Sequence, residues 1–198
     1  MSKIVLDMSM SVDGFIAGPD DCAEHGLGVD GELLHGWLAD GGSDPMSYRP
    51  DDAQGAQVFD ETLETRAVIV GRRTFELAGR WGGDHHDGVP IFVLTRNPPG
   101  EPAPGHASYV TDVESCVARA REAAGDREIL LHGASAAQAL LRAGHVDVLQ
   151  LHLVPVLLGH GRRLFDDLQP DHVELDLLRA LEGPDVLHLR YRVRTEAS

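Results

Sequence analysis

Cysteine is scarce in this 198-residue chain, with only Cys22 and Cys116. The two lie far apart and form no C-x-x-C pair. The sequence therefore specifies neither a disulfide framework nor a zinc or redox pair, and two reduced thiols in a reducing compartment are expected. Positive charge is also short. Seventeen Lys and Arg face 32 Asp and Glu, for a formal net charge of −15. Nucleic-acid binding needs the opposite, a basic footprint. No apolar run approaches the roughly 20 residues of a membrane helix. The apolar start "MSKIVLDMSMSVDGFIAG" is interrupted by Asp7 and Ser9, unlike a signal peptide. These absences point to a cytoplasmic protein with neither a nucleic-acid nor a membrane partner.

What is present is the composition of a globular protein, 42% hydrophobic and 25% charged, with enough apolar surface for a core without staples. No repeat or linker divides residues 1–198, and one domain is expected. Apolar runs at 3–10, 67–71, 91–95, 128–132 and 147–158 read as strands. Helical patterns at 32–39, 53–66, 73–79, 111–125 and 134–144 alternate with them. Residues 18–31, 40–52, 79–90, 96–105 and 159–165 read as loops, rich in Gly, Pro and polar side chains. The segments 172–181 and 186–194, joined by "EGPD", read as a β-hairpin. The pattern predicts an α/β domain with a mixed, mostly parallel central sheet and an antiparallel edge.

Three glycine-bearing turns compete as anion cradles. Gly26, Gly28 and Gly31 spell G-x-G-x-x-G, with Asp51 and Asp52 about 20 residues on. That fingerprint has meaning only after a strand and before a helix. Here "AGPDDCAEH" precedes it, acidic and turn-like, so no nucleotide site is expected there. In "AVIVGRRTFELAG" an apolar strand does end at Gly71, with Arg72, Arg73 and Thr74 opening a helix. In "EILLHGASAAQALLRAG" a strand ends at Gly133, and Ala134, Ser135 and Ala136 start a helix. Both are places where backbone N–H groups and the positive helix end can meet an anion. A plain strand–helix turn is an equal reading of each. "IFVLTRNPP" adds Thr95 and Arg96 at a third strand end. Ligands gather at the carboxyl ends of strands in such sheets, and Arg72, Arg73 and Arg96 there suggest a polyanion such as a 2′-phosphorylated dinucleotide.

Four stretches, "MSMSVDGFIAG" (8–18), "VIVGRRTFE" (68–76), "FVLTRNP" (92–98) and "LLHGASAAQALLRAGHVDVLQLHLVPVLLGHGRRLF" (130–165), resemble the dihydrofolate reductase superfamily. The closer likeness is to stand-alone proteins related to the C-terminal reductase domain of the riboflavin-pathway deaminase/reductase. The resemblance implies a three-layer fold with NADPH across the carboxyl ends of the strands. It implies that Ser9, Ile16 and Ala17 lie on the nicotinamide side, that Gly71, Arg72, Arg73 and Thr74 hold phosphates, that Thr95 and Arg96 flank the adenine ribose, and that Gly133, Ala134, Ser135 and Ala136 hold the pyrophosphate. It also implies a reductase that passes a hydride to a small heterocyclic or conjugated substrate, in a homodimer. In true folate reductases a helix acid binds the pterin. The matching "GELLHGWLA" offers Leu34 or Glu32 at that place, which points away from folate itself. The zinc motifs of a deaminase domain are absent.

A C=N or C=O substrate needs a proton as well as a hydride. Asp13, Glu32 and His35 are the candidate donors. Asp13 in "VDG" reads equally as a turn residue, Glu32 as a helix-start charge, and His35 as a packed side chain. Trp37 and His160 are candidate substrate contacts, and His152 is expected to face the pocket or a neighbour. "RWGGDHHDGVP" reads as a wall of the pocket. Its adjacent histidines lack zinc spacing, so a solvated loop and no metal are expected. A nucleotide-binding protein that kept the fold without the chemistry is the rival reading, and flavin is the rival cofactor.

Overall fold

The computed structural model describes residues 2–38, 49–166, 168 and 172–194. The first strand, β1 (Ile4–Ser11), decides the layering through its alternation. Ile4 and Leu6 face one side and pack with Ile69, Leu131, Leu149 and Leu151. Val5 and Asp7 face the other. The remaining strands are β2 (Phe15–Ala17), β3 (Ala67–Gly71), β4 (Ile91–Leu94), β5 (Ala107–Val110), β6 (Ile129–His132), β7 (Val148–Val154), β8 (Arg162–Arg163), β9 (Leu175–Gly183) and β10 (Val186–Val193). Eight of them form one sheet in the order β5-β4-β3-β6-β1-β7-β10-β9, while β2 and β8 pair apart. Pairings from β5 through to β7 are parallel. β10 joins β7, and β9 joins β10, antiparallel. This is the mixed, mostly parallel sheet with a C-terminal hairpin that the sequence predicts.

Helices α1 (Ala53–Leu63), α2 (Arg72–Leu77), α3 (Val113–Ala124) and α4 (Ala134–Arg142) cover the two faces. Cys116, Val117 and Ala120 of α3 and Ala137 and Leu140 of α4 complete the Ile4–Leu6 side. Burial pushes the Cys116 thiol up to about 12, so it stays a thiol and packs as an apolar group. Phe75 of α2 packs on Val68, Val70 and Leu130 on the opposite face. Among the described residues no helix is long and apolar enough to cross a membrane.

The chain departs from the sequence reading at its punctuation. The expected helix 32–39 is a 3-10 turn, Gly31–His35, because Gly31 and Gly36 bracket too few residues for a stable α-helix. Residue 39 lies outside the described residues, as does 40–48 of the expected loop 40–52. The strand 147–158 stops at Val154 because Pro155 cannot donate to the ladder. Ala107–Val110, with no strong pattern of its own, becomes an edge strand by pairing β4. The loop 159–165 contains β8, which fastens back on β2. No strand precedes Gly26, and residues 18–30 are turns.

Candidate active site

The two glycine turns of β3–α2 and β6–α4 interlock. A Cβ on Gly71 would lie 2.9 Å from Ser135 Oγ, and one on Gly133 would overlap Thr74 Oγ1. Gly133 also sits at φ 89°, a conformation open to glycine. The sequence reading of Gly133 as a close-packing residue and its reading as a cradle residue thus describe the same atom-level fit. No side chain caps α4, so its first N–H groups have no side-chain partner. Beside this helix start lies a cleft of about 440 Å³ lined by Gly18, Asp21, Ser135, Gln138, Arg162 and Arg163, among others.

The cations at the strand ends are already engaged. Arg73 forks onto the Asp21 carboxylate at 2.9 and 2.7 Å, and Arg162 reaches the same group at 3.3 Å. Hydrogen bonding to Arg73 holds the Asp21 carboxyl below its usual range. Arg72 donates to Glu76 at 2.7 Å and to the Asn97 carbonyl at 2.8 Å, which ties the β3 turn to the loop after β4. Thr95 Oγ1 accepts from Asn97 N, and Arg96 is exposed. Ile16 and Ala17 are buried on β2, facing the 159–161 turn through the close approach of Gly161.

On the Asp7 face the middle of the sheet is polar. Asp7, Ser9, His132, Gln150, His152 and His188 occupy adjacent positions on β1, β6, β7 and β10. They separate the Val68–Leu130 apolar cluster from a smaller one of Leu34, Val154 and Val186. Asp7 Oδ1 meets His152 Nε2 at 3.2 Å, and Asp7 Oδ2 accepts from Thr62 Oγ1 at 3.0 Å. Burial alone would raise the Asp7 carboxyl, but His152 outweighs it and the carboxyl lies below its usual range. His152 Nδ1 meets His188 Nδ1 at 2.8 Å. Trp37 covers both rings, with centroids at 4.6 and 4.9 Å, and its Nε1 donates to Ser9 Oγ at 2.9 Å.

A second imidazole chain starts at the Asp7 carbonyl, which accepts from His132 Nδ1 at 2.8 Å. His132 Nε2 meets His85 Nε2 at 3.3 Å, His85 Nδ1 meets His86 Nδ1 at 2.7 Å, and His86 Nε2 meets the Thr65 carbonyl at 3.2 Å. Burial pushes His85, His86 and His132 below the ordinary imidazole range. The expected solvated loop is therefore wrong for His85 and His86. The segment turns inward because Arg80, Trp81 and Gly82 are all left-handed, which brings Trp81 against His85 at 4.6 Å. Among the described residues no three His, Cys, Asp or Glu side chains are arranged to hold a metal ion.

The profile of the RibD C-terminal domain family matches residues 2–189. The chain belongs to that family. The domain is thus of reductase type, on a dihydrofolate-reductase-like fold. A protein assigned to riboflavin biosynthesis from Shewanella sp. PV-4 superposes with a TM-score of 0.72 at 21% identity, over 98% of this chain and 100% of that one. Dihydrofolate reductase from Enterococcus faecalis, complexed with NADP(H) and RAB-propyl, gives 0.62 at 16% identity, over 98% and 97%. The Thermotoga maritima diaminohydroxyphosphoribosylaminopyrimidine deaminase/5-amino-6-(5-phosphoribosylamino)uracil reductase gives 0.62 at 15% identity, over 98% of this chain and 57% of that one. No curated protein matches the sequence directly.

In this RibD C-terminal-type domain the candidate proton donors fall in different places. The Asp13 carboxylate accepts from Ser11 Oγ at 2.6 Å and from the Leu158 and Gly159 N–H groups at 3.1 and 2.7 Å. These bonds, the Ser11 bond foremost, hold it below the usual carboxylate range, so it is an ionised turn anchor rather than a proton source. Glu32 is exposed at the start of the 3-10 turn. His35 does reach the polar seam. Burial lowers it to about 4, and it interacts with His152, His132 and Asp7. His160 is exposed on the turn before β8. The sequence reading missed Asp7, His132, His188 and the inward turn of His85 and His86. The available signal was a polar residue recurring inside apolar strands, as in "IVLDM", "ILLH", "LQLHLV" and "VLHLRY".

Proposed function

We propose that this domain is an NADPH-dependent reductase that transfers a hydride to a small heterocyclic or conjugated substrate, working in the cytoplasm as a homodimer. The observation that carries the reading is the interlock of Gly71–Thr74 with Gly133–Ala136 beside the uncapped start of α4. Side-chain-free surface, unpaired N–H groups and an adjoining cleft form the setting a pyrophosphate needs. Convergence of Arg73 and Arg162 on Asp21 supports the same reading, since these guanidiniums together already hold one anion. In this reading Gly133, Ala134, Ser135 and Ala136 hold the pyrophosphate. Arg72, Arg73, Thr74, Thr95 and Arg96 hold the phosphates and ribose of the adenosine half, while Ser9, Ile16 and Ala17 border the nicotinamide. NADPH, when bound, supplies the hydride. His35 and Trp37 form the substrate side, over the polar seam. The family membership and the NADP(H) complex of the Enterococcus enzyme support the choice of cofactor.

Thermal shift and fluorescence with NADPH and NADH test the reading. NADPH is expected to stabilise the protein and NADH to do so less, with Arg73→Ala closing that difference. Absence of binding by either dinucleotide would sink the proposal.

A further inference from the structure

Two imidazole chains meet at Asp7, and their ends differ. The chain His132–His85–His86 ends on a carbonyl at both sides, Asp7 O and Thr65 O. Every ring nitrogen in it faces a partner, so it is closed. The chain through the Asp7 carboxylate is open. If His152 Nε2–H donates to Asp7 Oδ1, then His152 Nδ1 must accept, and His188 Nδ1–H must donate to it. That leaves His188 Nε2, which is buried and has no hydrogen-bond partner. His188 itself is 2% exposed. A buried polar atom without a partner is uncommon and calls for a ligand or a chemical role.

We infer that Asp7, His152 and His188 form a single proton relay whose working end is His188 Nε2, and that it supplies the proton of the proposed reduction. The inference rests on the reductase reading above. With Asp7 ionised and both imidazoles neutral, the unit holds two protons and a net charge of −1. A third proton makes it neutral as a whole. Burial penalises net charge, so it opposes an isolated imidazolium yet favours the loaded relay. Thr62 fixes the second Asp7 oxygen, and the Trp37 indole, held by Ser9, fixes both rings. In the reaction, hydride addition to the carbon of a C=N or C=O group breaks the π bond and leaves an electron pair on nitrogen or oxygen. That pair takes the proton from His188 Nε2. The relay falls back to two protons and is reloaded from water. His188 is then a catalytic residue, and Asp7 and His152 position and charge it.

Other charged groups bear on the relay. His35 faces it from the 3-10 turn, His132 from β6, Asp52 from the start of α1, and Arg179 from β9. The relay is recognised by joint titration, which a structural hydrogen bond alone would not show. Nitrogen-15 NMR of the histidine rings in the full chain, across the neutral and acid range, is expected to show His152 and His188 taking up one proton together. In Asp7→Asn that uptake is expected to weaken roughly tenfold or more, and in His188→Phe the joint step is expected to vanish. Identical His152 and His188 titrations in wild type and Asp7→Asn overturn the relay. NADPH fluorescence is read on the same samples, because none of the three side chains is assigned to the cofactor. Unchanged NADPH binding with the joint step lost supports the assignment. A joint titration without NADPH binding in the wild type overturns the reductase reading and the reaction drawn from it, leaving only the shared proton. In a panel of pterin, pyrimidine and quinone acceptors, His188→Phe is expected to lose about 10²-fold in kcat at unchanged NADPH affinity. Equal turnover with an acceptor the wild type reduces overturns the catalytic role.

Discussion

His35 shows how far one residue's chemistry depends on its surroundings. In sequence it is a histidine on a short turn, equally suited to packing or proton transfer. In the fold its Nδ1 is buried without a partner, and burial lowers the ring to about 4. A histidine whose folded value lies below its unfolded value binds fewer protons when folded. It therefore contributes stability above about 6.5, and that contribution is lost as pH falls towards about 4. At 1.36 kcal/mol per unit this is at most about 3 kcal/mol. Urea unfolding at pH 7 and pH 5 is expected to show lower stability at pH 5, and His35→Phe should flatten the difference. An unchanged pH dependence in that variant would remove His35 as its source. The same neutrality at pH 7 makes His35 alone a sparsely protonated donor, which shifts attention to the group beneath it. Asp13 illustrates the reverse case. Its "VDG" setting reads as a turn, and the structure adds two backbone N–H groups of residues 158 and 159 that no local pattern announces.

At the scale of elements, the strand–turn–helix units were legible and their mutual fit was not. Apolar runs ending in Gly71 and Gly133 mark both turns. That Thr74 of one fills the space left by the missing Cβ of the other follows only from β3 lying beside β6. Gly133→Ala would meet both a positive φ and the Thr74 hydroxyl. A loss of about 1–3 kcal/mol in stability is expected, together with loss of NADPH binding, read by thermal unfolding with and without the dinucleotide. A variant as stable as the wild type would show that the turn relaxes. The loop 18–31 reads as an acidic wall, and Asp21 turns it into a tied segment by holding Arg73 of α2 and Arg162 of β8. Strand β7 ends at Val154 because Pro155 breaks the ladder, a local rule outweighed in the sequence reading by the apolar run that continues past it.

For the whole molecule, the outermost strand of the sheet raises the question of assembly. β9 pairs on one side only, with β10, and Leu175, Leu177 and Leu178 are 37%, 59% and 49% exposed. An apolar strand with a free edge is a surface that proteins cover or blunt. In the homodimer we propose, this edge is the joining surface. Leu177→Lys is expected to shift the protein from dimer to monomer in size-exclusion chromatography with light scattering. A wild type that is monomeric at high concentration would rule the dimer out. The acidic net charge of −15 is consistent with such a pair carrying no nucleic-acid footprint.

Taken by itself, the sequence determined the order of strands and helices, the C-terminal hairpin, the two glycine cradles and the family resemblance. Periodicity and punctuation are local properties, and each survives in a single line of residues. The polar seam was decided by tertiary structure. Asp7 and His152 are 145 residues apart, and they meet only because β1 and β7 are neighbours in the sheet. Whether a histidine among leucines is solvated, packed or part of a relay depends on what the adjacent strand places opposite it. That is set by register and burial, not by the residues on either side.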